Sequence, residues 1–175
     1  IVERLETPPA RILDLGTGNG AIALALASKY SDAKVTATDQ SEEAITLAKE
    51  NADALNLSSR VTFIKGNWFE PLDEGARFDL IVSNPPYLTE AEMQTAEPEV
   101  IDHEPHGALA SGQEGLDDLS LLLKSVPKHL AEGGLLALET GIGQAEVIKE
   151  MALEVSLYGQ SVEDLSERPR FFFAS

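Results

Sequence analysis

Apolar residues along this chain fall into two alternating patterns. Short apolar runs at Arg11–Leu15, Val35–Asp39, Val61–Lys65, Phe78–Ser83 and Leu135–Glu139 are bounded by turn or cap residues, which predicts buried strands. Longer segments between them carry helical spacing. Ala21–Lys29 is rich in alanine and leucine. Ser41 is placed to cap a helix whose apolar side is read as Ala44, Leu47, Ala48 and Leu55. Leu116–Leu130 reads as a helix ended by Glu132-Gly133-Gly134, Gln144–Leu157 as a further helix, and Arg170–Ala174 as a closing strand. This alternation predicts an α/β fold, a parallel sheet with helices on both faces.

One segment breaks the rhythm. Asn84–Gly115 holds prolines and many acidic residues with little periodicity, the character of a functional loop. The chain length of 175 residues suits one domain, 1–175. Ile1–Leu5 resembles the end of a helix, so the chain is expected to be a piece of a longer protein. No apolar run reaches the ~18 residues of a membrane span, and no signal peptide opens the chain. There is no cysteine, which removes disulfides and thiolate catalysis and fits a cytoplasmic setting. The net charge of −17 would repel phosphate backbones, so no direct tight nucleic-acid binding is expected.

Two motifs carry chemistry. Asp14-Leu15-Gly16-Thr17-Gly18-Asn19-Gly20 follows a strand and opens a helix. Its glycines let the backbone turn sharply, and Asp39 ends the next strand where a carboxylate can bind ribose hydroxyls. The spacing of Gly16, Gly18 and Ala21 also fits the dinucleotide fingerprint of nicotinamide-dependent oxidoreductases. Asp14, two residues before the first glycine, is placed to face the ammonium of a methionine moiety, which favours a methyl donor. The second motif, Asn84-Pro85-Pro86-Tyr87, follows the fourth strand. Its prolines fix the backbone, the Pro85 carbonyl and the Asn84 side chain offer acceptors to a planar –NH2, and Tyr87 is placed to stack on it. An amide nitrogen is a poor nucleophile, so positioning and electrostatics would carry its methylation.

With these motifs, the runs RILDLGTGNGAIALALA, GNWFEPL, FDLIVSNPPY, HEPHGALASGQEGLD, GGLLALETG and RPRFFFA resemble the release-factor glutamine methyltransferases over nearly all of Arg11–Ala174. The resemblance implies a Rossmann-like class I S-adenosylmethionine-dependent methyltransferase fold with a seven-stranded, mostly parallel sheet and an antiparallel last strand. It implies methyl transfer from S-adenosyl-L-methionine, leaving S-adenosyl-L-homocysteine, to the glutamine of the Gly-Gly-Gln loop of peptide chain release factors. By matching position, Gly16–Gly20 would surround the methionine part, Asp39 the ribose, and Asn67 and Trp68 the adenine. Asn84, Pro85, Pro86 and Tyr87 would clamp the substrate, Asn84 also touching the cofactor, with Glu104-Pro105 and Ala108-Leu109 in a covering loop from which Glu104 meets the substrate. That family carries an N-terminal helical domain that does not match here, so this chain is expected to bind cofactor but to methylate a release factor poorly. A sibling family acting on a ribosomal-protein glutamine shares the Asn-Pro-Pro-Tyr motif, as do nucleic-acid adenine methyltransferases. No metal is expected, because His103-Glu104-Pro105-His106 lacks ligand spacing and His129, near a helix end, reads as structural. Glu139 and the acidic stretch Glu90–Glu104 receive no assigned role.

Overall fold

A computed structural model of the chain describes residues 1–5, 7–87, 112 and 115–175. In chain order the elements are β1 (Arg11–Leu15), α1 (Ala21–Lys29), β2 (Lys34–Asp39), α2 (Glu42–Ala54), β3 (Val61–Lys65), β4 (Phe78–Ser83), α3 (Asp117–Ser125), β5 (Leu130–Glu139), α4 (Ala145–Glu154), β6 (Gly159–Glu163) and β7 (Pro169–Ala174). Val2–Arg4 forms a short 3-10 turn. The sheet has seven strands in the order β3-β2-β1-β4-β5-β7-β6. β1 pairs in parallel with β2 and β4, β2 with β3, and β7 runs antiparallel to β6.

The residues fall into two compact units. One comprises Ile1–Asn84, Lys128–Ala137 and Ser175; the other comprises Pro85–Pro127 and Leu138–Ala174. The first unit is built on β1 and β4, which are covered on both faces and therefore apolar almost throughout. Ile12, Leu13, Leu15, Leu80 and Ile81 are wholly buried there. In the second unit, α3 packs against α4, and α4 packs on β6 and β7. Leu119, Leu122, Ile148 and Phe172 form its wholly buried interior.

Local chemistry explains several boundaries. The Ser41 hydroxyl accepts from the Ala44 N–H, the cap expected for α2. The buried side of α2 is Ile45, Ala48 and Ala52, whereas Leu47 and Leu55 are exposed, so the expected face is rotated. α3 stops at Ser125 and Val126–Lys128 tightens into a 3-10 turn, rather than running on to Leu130. Pro127 lacks an N–H and its ring crowds the preceding turn, which ends the helix early. Consequently Glu132-Gly133-Gly134 lies inside β5 instead of capping a helix. β6 was not legible as a strand, because Gly-Gln-Ser-Val-Glu has no apolar run and lies at the sheet edge. Among the described residues, no helix is long and apolar enough to cross a membrane.

Leu80 sits at the middle of β4 in register with Ile12 and is wholly buried. Leu80→Ala should lower unfolding free energy in urea by about 2–5 kcal/mol, the transfer term plus the cavity it leaves. A loss below ~1 kcal/mol would mean that this core collapses onto the gap.

Candidate cofactor and substrate site

The first unit brings the carboxyl ends of four strands to one edge. Leu15 is in register with Thr38 and Ser83, and Asp39 with Lys65. The segments that follow β1, β2, β3 and β4 therefore leave side by side, carrying Gly16–Gly20, Asp39, Asn67-Trp68 and Asn84. The Ser83 hydroxyl donates to the Leu15 carbonyl at 2.8 Å, tying the end of β4 to the start of the glycine loop. Such an edge, where β2 and β4 depart to opposite sides of β1, is the place at which open α/β sheets bind nucleotides.

Asp14 organises the loop from below. Its Oδ2 accepts from the Thr17 hydroxyl at 2.6 Å and from the Ala23 N–H at 3.0 Å, the latter in the first turn of α1. The carboxyl group is buried, and its Oδ1 has no partner among the described residues. Burial raises the carboxyl from its ordinary 3.8 to about 7, against the lowering effect of the bonds from Thr17 and Ala23, while Asp39 adds a smaller rise. An orphaned carboxylate oxygen fits a cationic ligand group, because a cation would supply what the protein does not.

Asp39 closes the loop from the side. Its Oδ2 accepts from the Gly18 N–H at 2.8 Å and its Oδ1 from the Ser41 N–H at 2.9 Å. The Thr17 N–H donates to the Thr38 carbonyl, and the Gly20 N–H to the Thr17 carbonyl. Asn19 is exposed; its side chain accepts from the Ala21 N–H and its carbonyl from Asn51. Gly16 has φ +67, and a Cβ there would lie 3.0 Å from the Trp68 ring, so the indole rests on bare backbone. Trp68 itself has φ 46, unusual for a bulky residue, and its carbonyl accepts from the Thr38 hydroxyl. Next to it, Phe69 stacks on His129 with centroids 4.9 Å apart, and His129 Nδ1 lies 3.1 Å from the Ala76 carbonyl. His129 thus braces the segment after Trp68. Asn67 accepts from the Glu70 N–H through its carbonyl, within the turn that presents Trp68.

Asn84 is exposed and is joined directly to Pro85, which is buried, and then to the half-buried Pro86 and Tyr87 of the second unit. Within that unit, Tyr87 meets three residues without an assigned role, Arg170, Glu139 and Gln144. Arg170 donates to the Tyr87 oxygen at 2.7 Å and to Glu139 at 2.6 Å. Its guanidinium carbon lies 4.9 Å from the Tyr87 ring centroid. The Tyr87 hydroxyl donates to Glu139 at 3.3 Å. Burial raises the Tyr87 hydroxyl above its ordinary range, Glu139 adding to the rise and Arg170 opposing it, so the phenol stays neutral. Gln144 donates to the Tyr87 carbonyl. Glu104, Ala108 and Leu109, together with the stretch Glu90–Glu104 and His103 and His106, lie outside the described residues. No cluster of metal-binding side chains occurs among the described residues.

A family model described as "Methyltransferase domain" matches residues 6–169. The chain belongs to this methyltransferase-domain family. The class I methyltransferase fold and the family together imply S-adenosylmethionine as methyl donor. The chain is 45% identical over 153 residues to the release factor glutamine methyltransferase of Geobacter sulfurreducens, covering 86% of this chain and 53% of that protein. It is 42% identical over 177 residues to the protein of the same name from Moorella thermoacetica, covering 99% of this chain and 62% of the relative. The methyltransferase domain here thus spans somewhat over half the length of the curated relatives it matches. Among solved structures, the ribosomal protein L11 methylase of Lactobacillus delbrueckii subsp. bulgaricus superposes with a TM-score of 0.69 at 27% identity, over 99% of this chain and 72% of that one.

The buried Asp14 generates a prediction with a definite sign. The folded chain holds the Asp14 proton up to about pH 7 and the unfolded chain releases it near 3.8, so folding stability attributable to this group falls as pH rises through that window. Asp14→Asn removes the titration. The stability of the variant relative to the unsubstituted chain, measured by urea unfolding without ligand, should therefore increase steadily between those two pH values. A difference independent of pH would remove Asp14 as the source.

Proposed function

We propose that this chain is the catalytic domain, residues 1–175, of an enzyme that transfers a methyl group from S-adenosyl-L-methionine to the side-chain amide nitrogen of a glutamine in a protein. A peptide chain release factor is the substrate favoured by the names of its relatives. The observation that carries the reading is the register that sets Asn84 beside the glycine loop, with Asn84 leading straight into Pro85-Pro86-Tyr87.

The loop residues divide the work of holding the donor. The unpartnered Oδ1 of Asp14 receives the ammonium of the methionine part, and Gly16, Thr17, Gly18, Asn19 and Gly20 form the wall around it. Asp39 receives the ribose hydroxyls; both its oxygens already accept an N–H, yet a carboxylate oxygen keeps capacity for a second bond. Asn67 and Trp68 border the adenine. The bound donor supplies a methyl group on a positively charged sulfur. The Asn84 side-chain carbonyl and the Pro85 carbonyl accept the two amide hydrogens of the substrate, which raises electron density on its nitrogen and aims the lone pair; the N–CH3 bond forms as the S–CH3 bond breaks to leave S-adenosyl-L-homocysteine, and the nitrogen gives up one of its two protons to water. Tyr87 is the lateral wall of that clamp, and Glu104 belongs to the covering loop. The cellular setting is the cytoplasm. The charge of −17 counts against the adenine of a nucleic acid as the alternative planar amine.

The decisive experiment incubates the chain with isotopically labelled S-adenosylmethionine and a purified release factor, followed by peptide mass spectrometry. One labelled methyl on the glutamine of the Gly-Gly-Gln loop is expected. Label on nucleic acid, or on a protein residue other than that glutamine, would overturn the reading.

Two substitutions separate the roles. Asp39→Ala should weaken donor binding by about 1.5–3 kcal/mol in calorimetry, the scale of charged hydrogen bonds. Unchanged affinity would take Asp39 out of the ribose role. Asn84→Ala should leave that affinity intact while lowering turnover by about 100-fold, since lost aim appears in the rate. Near-normal turnover in this variant would dismiss the clamp.

A further inference from the structure

Tyr87 is gripped at both of its ends. At the phenol, one nitrogen of Arg170 donates to the Tyr87 oxygen at 2.7 Å and to Glu139 Oε1 at 2.6 Å. The Tyr87 hydroxyl donates to the same Glu139 oxygen at 3.3 Å. Its proton and the lone pair facing Arg170 are thus already committed, and the guanidinium lies over the ring. At the backbone, the amide nitrogen of Gln144 donates to the Tyr87 carbonyl at 3.3 Å and to the Gly115 carbonyl at 3.1 Å. The oxygen of the same amide accepts from the Gly141 N–H at 2.8 Å. Gly115, at φ +67, leaves room for the Tyr87 carbonyl where a Cβ would collide with it.

The three gripping residues come from separate places in the sequence. Glu139 ends β5, Gln144 occupies the N-cap position of α4, and Arg170 is the second residue of β7. They converge on one residue of a segment without regular secondary structure. The Arg170–Glu139 ion pair joins neighbouring strands, but the bonds of Arg170 and Gln144 to Tyr87 lie outside the sheet ladder. The Gln144 amide is nearly buried, at 9% exposure, and faces two carbonyls and one N–H, the pattern that a neutral amide satisfies and a carboxylate does not.

We propose that Arg170, Glu139 and Gln144 are positioning residues for methyl transfer, which fix Tyr87 at its phenol and its carbonyl and thereby hold the preceding Pro85-Pro86 backbone in the orientation that presents the Pro85 carbonyl to substrate. This rests on the amide-methylating function proposed above. Two proline rings limit rotation between Pro85 and Tyr87, so an anchor at Tyr87 is transmitted to the Pro85 carbonyl instead of being dissipated along the chain. Tyr87 is an anchor in this arrangement and exchanges no proton.

The test uses the 175-residue chain. Gln144→Glu keeps the shape and the acceptor for Gly141 but sets a carboxylate against the Tyr87 and Gly115 carbonyls. Arg170→Met removes the donor to the Tyr87 oxygen and to Glu139, and Arg170→Lys restores a cation able to reach both. For Gln144→Glu and Arg170→Met, kcat on a release factor should fall by about tenfold or more, with the dissociation constant for S-adenosylmethionine within about twofold of the original. Arg170→Lys should recover much of the loss. A second readout is independent of activity. The chain contains 3 tyrosines, so ring-labelled tyrosine gives a carbon NMR spectrum in which Tyr87→Phe identifies the Tyr87 signals. Arg170→Met should shift those signals and average the two sides of the ring, and Arg170→Lys should restore them. A spectrum indifferent to Arg170→Met overturns the proposal. So does a parallel fall in kcat, cofactor affinity and melting temperature without rescue by lysine, which would mark a merely structural role. If Gln144→Glu does not fold, the Arg170 pair decides alone. Absence of turnover by the unsubstituted chain counts against the proposed function, and the inference is then judged on the tyrosine spectrum.

Discussion

The carboxylate of Asp14 joins strand, loop and helix in the first unit. It ends neither the strand nor the loop, yet it receives the Thr17 hydroxyl from the loop and the Ala23 N–H from the first turn of α1. Those bonds set where the loop leaves β1 and where the helix begins. The Gly18 N–H is then within reach of Asp39, and the Thr17 N–H of the Thr38 carbonyl, so β1 and β2 are bridged above their ladder. The arrangement is costly, since a buried carboxylate with one unpartnered oxygen is unfavourable when ionised. That cost explains why the carboxyl holds its proton to about pH 7. In the proposed reading, a ligand ammonium offsets it, so the loop that is least comfortable alone is best suited to a cation.

The two units meet different requirements. In the first, the donor loop stands on strands covered on both faces, whose wholly buried Ile12, Leu13, Leu15, Leu80 and Ile81 leave little freedom to the residues at their ends. In the second, the segment beginning at Pro85 has no strand to define it, and side chains from β5, α4 and β7 hold Tyr87 instead. Packing beneath the strands thus holds the strand ends of the first unit, whereas polar bonds hold Tyr87 in the second.

The sequence revealed what depends on neighbours and hid what depends on distance. The Ser41 cap, the glycine loop and the strand before Asn84 each follow from a few adjacent residues, and each is present. Glu139 attracted notice only as a strand end, and Arg170 only as part of a resemblance. Their partnership with Tyr87 joins residues 31, 52 and 83 positions apart, which no local pattern encodes. The rotated face of α2 failed for another reason. Leu47 and Leu55 are exposed, whereas Ile45 turns inward together with the small Ala48 and Ala52, and a Cβ on Gly20 would already touch Ala48. Leaving Ile45 out of the apolar side is what rotated the expected face.

The phenol of Tyr87 bears on what kind of catalysis the segment from Asn84 can support. A tyrosine beside a reacting nitrogen invites assignment as a proton acceptor. Here its proton goes to Glu139 and its oxygen receives Arg170, and burial keeps it in the neutral form. A group so committed does not accept the proton of a substrate amide without breaking the bonds that hold it. Amide methylation at this segment would then draw its rate from aim and from acceptors fixed in advance, not from a base. Fixed acceptors are useful only if the backbone bearing them does not yield, because an error of about 1 Å in such an arrangement costs about 100-fold in rate. The two prolines supply local stiffness, but stiffness alone leaves the whole segment free to swing. Bonds at both ends of Tyr87 remove that freedom, which is why an arginine, a glutamate and a glutamine converge on one residue.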